Sequence, residues 1–195
     1  MNMDKKIGRP RSEETRKSIL SAAYELLLEK GFKAVTVDGI AERSGVSKAT
    51  IYKWWPNKAS VVLDGYFEAT EVMLQVPDTG SMGEDLFIQA NNLAAFLTSH
   101  KGRVITELIA EGQFDKNIAE EYRKRYFSPR RLISKNIIER GIHRGELRKD
   151  LDIELSIDLI FAPLFYRLLI TDEPLESAYI KELISYAFKG LEAEA

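Results

Sequence analysis

The sequence predicts an all-α protein, and three features carry that expectation. Apolar residues recur at three- and four-residue spacing through most of the 195 positions. Capping residues and glycines interrupt that pattern at intervals suited to short helices. The one stretch of β-like alternation, Ala34-Val-Thr-Val37, is too short to build a sheet. With no cysteine, a disulfide framework and a Cys-ligated metal site are excluded, and the length is enough for a hydrophobic core without them.

Taken in order, Ile19, Leu20, Ala23, Leu26 and Leu27 mark a first amphipathic helix. Ser12 suits its N-cap, Glu13 and Glu14 suit its positive end, and Gly31 suits the C′ position. Thr36 is expected to cap a short helix ending near Ser44, Ser47 another, and Asn57 a longer one through Val61, Tyr66, Phe67 and Met73. Val76-Pro-Asp-Thr-Gly-Ser81 is the clearest loop. Beyond it Leu86, Ala90, Leu93 and Leu97 form a stripe, widened by Phe87 and Ala94. Two helices flank Ser128-Pro129, where serine as N-cap and proline at N1 should start a new helix that ends at His143-Arg-Gly145. Asp152 caps an apolar segment to Ile170, and a last helix runs from about Glu176 to Leu191.

The opening residues lack the apolar run of a signal peptide, and Leu159–Tyr166, interrupted by Pro163, is far too short to span a bilayer. A cytoplasmic protein with no membrane partner is expected. Its net charge of −2 conceals a split. Residues 1–60 hold 12 Lys/Arg against 7 Asp/Glu, whereas residues 61–195 hold 16 against 23. A basic head on an acidic body points to an anionic partner for the head.

The segment Thr36-Val-Asp-Gly-Ile-Ala-Glu-Arg-Ser-Gly-Val-Ser-Lys-Ala-Thr-Ile-Tyr-Lys-Trp-Trp-Pro56 reads as a helix-turn-helix. Ala41 is small where two helices cross, Gly45 ends the first in a left-handed conformation, and Val46 plugs the turn. Ser47 caps the second helix, which Ile51 and one of the two tryptophans pin to the core. Setting Ile51 inward turns Ala49 and Lys53 outward, flanked by Thr50 and Tyr52. That face fits a major groove, with Lys48 and Lys53 on phosphates and Tyr52 donating its hydroxyl. Lys58, beside the Asn57 cap, suits a phosphate at a helix N-terminus. Two helices packed for structure alone would need only the apolar positions; here the small, glycine and capping positions are in register as well.

Residues 9–67 strongly resemble the TetR (tetracycline-repressor-like) family of bacterial transcriptional regulators. The matching elements are Gly8-Arg-Pro-Arg11, Ile19…Ala22-Ala23…Leu26, Gly31-Phe32, Thr36-Val37, Ile40-Ala41, Ser44-Gly-Val-Ser47, Thr50-Ile-Tyr52 and Pro56-Asn-Lys58. The resemblance implies a three-helix DNA-binding head over residues 1–60 and a helical effector-binding and dimerisation body over 61–195. It places DNA contacts on Thr36, Ser47, Lys48, Ala49, Thr50, Tyr52, Lys53 and Lys58, and Arg9 and Arg11 form an arm suited to a minor groove. Two departures stand out. Gly39 sits inside a helix, at a cost of about 1 kcal/mol, and Trp54-Trp55 replaces a smaller or imidazole-bearing residue followed by phenylalanine.

The body resembles the family more loosely, through Tyr122-Arg, Pro129-Arg-Arg131, Arg144-Gly-Glu-Leu147 and the run from Asp158 to Leu169. Such regulators dimerise through a four-helix bundle of their last two helices. Ile160, Phe161, Leu164, Phe165, Leu168 and Leu169 suit a helix buried on two sides, with Tyr179, Leu183, Ala187 and Phe188 as the matching stripe. Tyr66, Phe87, Leu93, Phe114, Tyr126 and Phe165 are expected around an effector cavity, though for any single one of them core filling is the readier explanation. Arg130 and Arg131 are candidates for an anionic effector or a solvated face. Glu107, Glu111 and Asp115 lie at helical spacing with no histidine, so neither a metal nor a cofactor is expected.

The expected function is therefore a ligand-responsive regulator: a homodimeric repressor released from a palindromic double-stranded DNA operator by a small molecule. The competing reading is a protein-interaction module of the same fold, a co-activator or DNA-organising factor. An enzyme is not expected, since His100 and His143 have no nucleophile or metal spacing around them.

Overall fold

The computed structural model describes residues 9–70 and 76–189, and among these no β-strand occurs. The helices are α1 (Arg9–Ala34), α2 (Val37–Ser44), α3 (Lys48–Tyr52), α4 (Lys58–Thr70), α5 (Met82–Leu97), α6 (Arg103–Gly112), α7 (Lys116–Tyr122), α8 (Ser128–Arg144), α9 (Ile153–Tyr166) and α10 (Ser177–Lys189).

The first helix starts earlier than its sequence suggests. Its backbone is already helical at Arg9, so Ser12 stands inside the helix and not at its cap. Proline at position 10 permits this, because the first-turn amides have no intrahelical acceptor to lose. Gly31 breaks α1 at φ 73°, as its C′ assignment requires. Asn57 accepts the Ser60 N–H at 2.8 Å, capping α4. Met73 and Leu191 lie outside the described residues.

One boundary is wrong in an instructive way. Ser128-Pro129 does not separate two helices: α7 runs into α8 through a π-helical turn, Arg123–Phe127, with Ser128 N–H bonding to the Arg123 carbonyl. Proline removes one donor and crowds the preceding turn, and a wider turn absorbs both effects without breaking the axis. Pro163 lies inside α9, and a second π-helical turn, Arg167–Thr171, follows that helix.

In the head, Phe32, Val35, Ile40, Ile51 and Trp55 close a small core under α1. Helix α4 joins it to the body, packing on α1 where Gly65 lets the two backbones approach. Body residues Leu86, Ala90 and Leu97 of α5, Ile105 and Leu108 of α6, Ile137 and Ile138 of α8 and Ile157, Ile160 and Leu164 of α9 complete a continuous core. The final helix contributes Ile180 and Ile184 as its fully buried pair, while the expected stripe of Tyr179, Leu183, Ala187 and Phe188 is only half-buried.

The loop before α5 is held by a buried charge. Asp85 accepts hydrogen bonds from the Thr79 N–H at 2.7 Å, the Thr79 hydroxyl at 2.9 Å and Arg140 at 3.1 Å. Burial alone would raise its carboxyl; these donors outweigh it and leave the pKa below the usual 3.8. Asp85→Asn should therefore lose about 2 kcal/mol at neutral pH, because a neutral amide is a weaker acceptor for Thr79 and Arg140, although Arg140 keeps the Pro77 carbonyl at 2.8 Å and the Asp78 carboxylate. A carboxylate depressed in the folded state stabilises above its unfolded pKa and ceases to do so as pH falls through its folded value. Urea unfolding should accordingly show the deficit of the variant narrowing as the pH is taken below 3.8.

Candidate nucleic-acid interface and ligand cavity

The helix-turn-helix assembles from local hydrogen bonds. Thr36 Oγ1 accepts the Gly39 N–H at 3.1 Å, so this helical glycine supplies the amide that starts α2. Gly45, at φ 70° and ψ 22°, ends it, and the Val46 N–H returns to the Ala41 carbonyl at 3.1 Å. Ser47 then accepts the Thr50 N–H at 3.2 Å, and the two hydroxyls lie 3.0 Å apart. Buried Ile51 and Trp55 anchor α3 from below. Lys48, Ala49, Tyr52 and Lys53 are consequently exposed together on the opposite side.

This outward face is small, polar and basic, as major-groove entry requires. The Lys48 ammonium is paired with Asp38 of α2. Trp55 takes the core position, 3% exposed, and Trp54 packs edge-on against it at 5.5 Å while remaining 40% exposed. Thr36 lies exposed at the start of α2. The side chains of Arg9 and Arg11 lie outside the described residues.

Lys58 is engaged elsewhere. Its ammonium donates to the Phe32 carbonyl at 3.0 Å and sits 4.4 Å above the Phe32 ring, and this burial lowers its pKa. From the body, Glu107 of α6 accepts the Phe32 N–H at 3.0 Å. The turn between α1 and α2 is thus clamped by α4 and α6 together. Asp115, grouped with Glu107 in the sequence, instead caps α7 through the Asn117 N–H at 2.9 Å.

At the other end, α5, the first π-helical turn, α8 and α9 line a half-open cavity of about 240 Å³. Of the six residues expected around it, Leu93, Tyr126 and Phe165 line it. The other three do not. Tyr66 is wholly buried within the core, its hydroxyl donating to the Lys101 carbonyl at 2.9 Å and its ring 5.3 Å from Phe67. Phe87 faces a groove between α5 and α10. Phe114 is 95% exposed at the turn between α6 and α7, because Asp115 caps the next helix there and turns the chain outward.

Sequence reasoning missed Phe127, Ser134, Ile157, Asp158, Phe161 and Ala162, which also line it. Helical spacing in Ile157-Asp-Leu-Ile-Phe161 carried that signal, but no pattern says which apolar face meets a void. The hydroxyl of Tyr126, itself 1% exposed, is buried without a hydrogen-bond partner among the described residues. Arg130 lies over the Tyr126 ring at 3.6 Å. Arg131, at the rim, is paired with Glu154 and Asp158 of α9.

Residues 19–64 match the family model described as bacterial regulatory proteins, tetR family, and residues 76–187 match the tetracyclin repressor-like C-terminal domain. The chain belongs to the TetR family. It is 60% identical over 191 residues to the HTH-type transcriptional regulator YdeS of Bacillus subtilis, itself uncharacterised, covering 98% of this chain and 96% of that one. Among solved structures it resembles the TetR family transcription regulator SCO0332, with 38% identity, a TM-score of 0.79 and coverage of 91% and 98% of the two chains. FadR from Bacillus subtilis, solved in complex with stearoyl-CoA, shares the fold at 20% identity and a TM-score of 0.66, over 89% of this chain and 97% of that one. This TetR-family chain is accordingly a DNA-binding transcriptional regulator. No described helix is long and apolar enough to cross a membrane.

Proposed function

We propose that the protein is a homodimeric repressor, released from a palindromic operator when a small, largely apolar molecule occupies the α5–α8–α9 cavity. The observation that carries this reading is the exposed Lys48, Ala49, Tyr52 and Lys53 face of α3, fixed from beneath by Ile51 and Trp55. Ser47, Thr50 and Thr36 border it, and Arg9 and Arg11, whose side chains lie outside the described residues, add minor-groove contacts in this reading. Lys58 contributes by holding the head together, and reaches a phosphate only by leaving Phe32.

A second copy of the chain is supported by Leu159, Tyr166, Ile170 and Tyr186, all exposed on α9, the turn after it and α10. Large apolar residues left open on adjacent helices favour association. A two-fold dimer then requires half-sites about 34–36 Å apart. In this reading residues 1–60 form the head and 61–195 the body, with α4 bridging the boundary. The cavity suits a largely apolar ligand, since Leu93, Ile157, Phe161 and Phe165 line it together with Tyr126. FadR, which shares the fold, is solved in complex with stearoyl-CoA.

The deciding experiment is a band-shift with the duplex upstream of the protein's own coding sequence, across a salt series. Retardation that weakens steeply with salt is expected, with a log–log slope of about −0.9 per neutralised phosphate. Retardation insensitive to salt would rule out the phosphate contacts. The Asp38 carboxylate competes with DNA for Lys48, so Asp38→Asn should tighten binding about threefold, in line with the modest strength of exposed ion pairs. Compounds raising the melting midpoint by mass action on the native state should also reduce retardation.

A further inference from the structure

The tryptophan pair at the end of the recognition helix remains to be explained, and its second member leads out of the head. Trp55 is bound to α3 by its own backbone, its N–H donating to the Ile51 carbonyl at 3.0 Å. Its indole Nε1–H donates to Asp64 Oδ2 of α4 at 2.6 Å. The other carboxylate oxygen of Asp64 accepts from Arg125, whose guanidinium also donates to Glu121 one turn earlier. Phenylalanine in place of Trp55 would keep an apolar ring in the core but has no N–H to offer.

Arg125 lies within the π-helical turn Arg123–Phe127, and its two successors, Tyr126 and Phe127, line the cavity. A second contact runs in parallel: the Tyr126 ring stacks on Phe67 of α4 at 5.2 Å. Turns of this kind hold an extra residue and occur often at functional sites. A ligand that displaces Tyr126 or Phe127 therefore acts on the segment that aims the Arg125 guanidinium.

We propose that Arg125, acting through Asp64, is a positioning residue for Trp55 and hence for the recognition helix, and that it couples occupancy of the cavity to the orientation of α3. The link to the cavity rests on the reading of that cavity as the ligand site; the hold on Trp55 does not. The coupling is reciprocal: whatever loosens Arg125 from Asp64 weakens DNA binding, and bound DNA resists that loosening by the same factor.

The chain has two tryptophans, so Trp54→Phe leaves Trp55 as the sole reporter. In that background Arg125→Gln should shift the Trp55 emission maximum and weaken binding of the upstream duplex about fivefold or more, with helicity unchanged. Arg125→Lys, which keeps a cationic donor for Asp64, should restore much of both. Ala162→Phe narrows the mouth of the cavity from the exposed side of α9, far in sequence from Asp64. It should shift Trp55 emission when Arg125 is present and leave it unchanged beside Arg125→Gln. If Arg125→Gln acts and Ala162→Phe does nothing in either background, the hold on Trp55 stands and the cavity reading fails. If Arg125→Gln leaves emission and affinity unchanged, the proposal is overturned. Should Arg125→Gln fail to fold, Trp55→Phe with Trp54 intact serves instead: it removes the indole donor together with part of the ring's volume, and unchanged duplex affinity would overturn the proposal.

Discussion

Replacing Lys48 and Lys53 together by alanine is expected to weaken operator binding on the order of 10³-fold at 0.15 M salt, because a dimer would lose four phosphate contacts that each contribute about 0.9 to the log–log slope. The slope itself should flatten by about 3.6 for the same reason. Both side chains are exposed on α3, and neither contributes to the core beneath it. Circular dichroism and the melting midpoint should therefore remain those of the parent. Tyr52→Ala, half-exposed on the same face, should weaken binding further without changing the slope, since its hydroxyl releases no counterion. A flattened slope separates lost phosphate contacts from a misplaced helix. If the double variant keeps the parental slope, α3 does not meet the DNA backbone through these lysines.

The second large effect is structural and is expected at Gly65. A Cβ built there would lie 2.6 Å from the Leu20 carbonyl oxygen and 3.4 Å from the Ala23 Cβ. The first neighbour is backbone, so a side-chain rotation cannot relieve the clash. Helix α4 would have to withdraw from α1 along the contact that joins head to body. Gly65→Ala should destabilise the fold by about 3 kcal/mol, the upper part of the usual range for overpacking a core. For a chain of this size that corresponds to a fall in melting midpoint of roughly 6–12 °C. DNA binding by the folded fraction should fall as well, because α4 also carries Asp64, the acceptor for Trp55. An unchanged midpoint would mean that the α1–α4 crossing is looser than the backbone distance implies.

The helix-turn-helix was legible because its determinants are local. Thr36, Gly45 and Ser47 act on amides and torsions within four residues of themselves, so spacing alone identifies their work. Ile51 and Trp55 follow helical periodicity onto the buried side, and the exposed face is what remains. The cavity was only half legible. Leu93, Tyr126 and Phe165 reach it, whereas Tyr66, with the same residue type and spacing, is satisfied by the Lys101 carbonyl 35 residues away. Lys58 shows the same limit within the head. Its place beside a helix N-terminus suggested a phosphate, but the Phe32 carbonyl and ring provide a partner from 26 positions earlier.

The sequence by itself therefore determined the all-α class, the DNA-reading motif and the basic character of its face, since caps, glycines and periodic apolar positions act over a few residues. Tertiary structure alone decided which aromatics enclose a void, that Ser128-Pro129 widens a helix without ending it, and that Trp55 is tied through Asp64 to Arg125. These outcomes depend on which faces meet after the helices pack. A buried hydroxyl, indole or guanidinium accepts whichever partner the fold brings within about 3 Å, and no spacing along the chain records that distance.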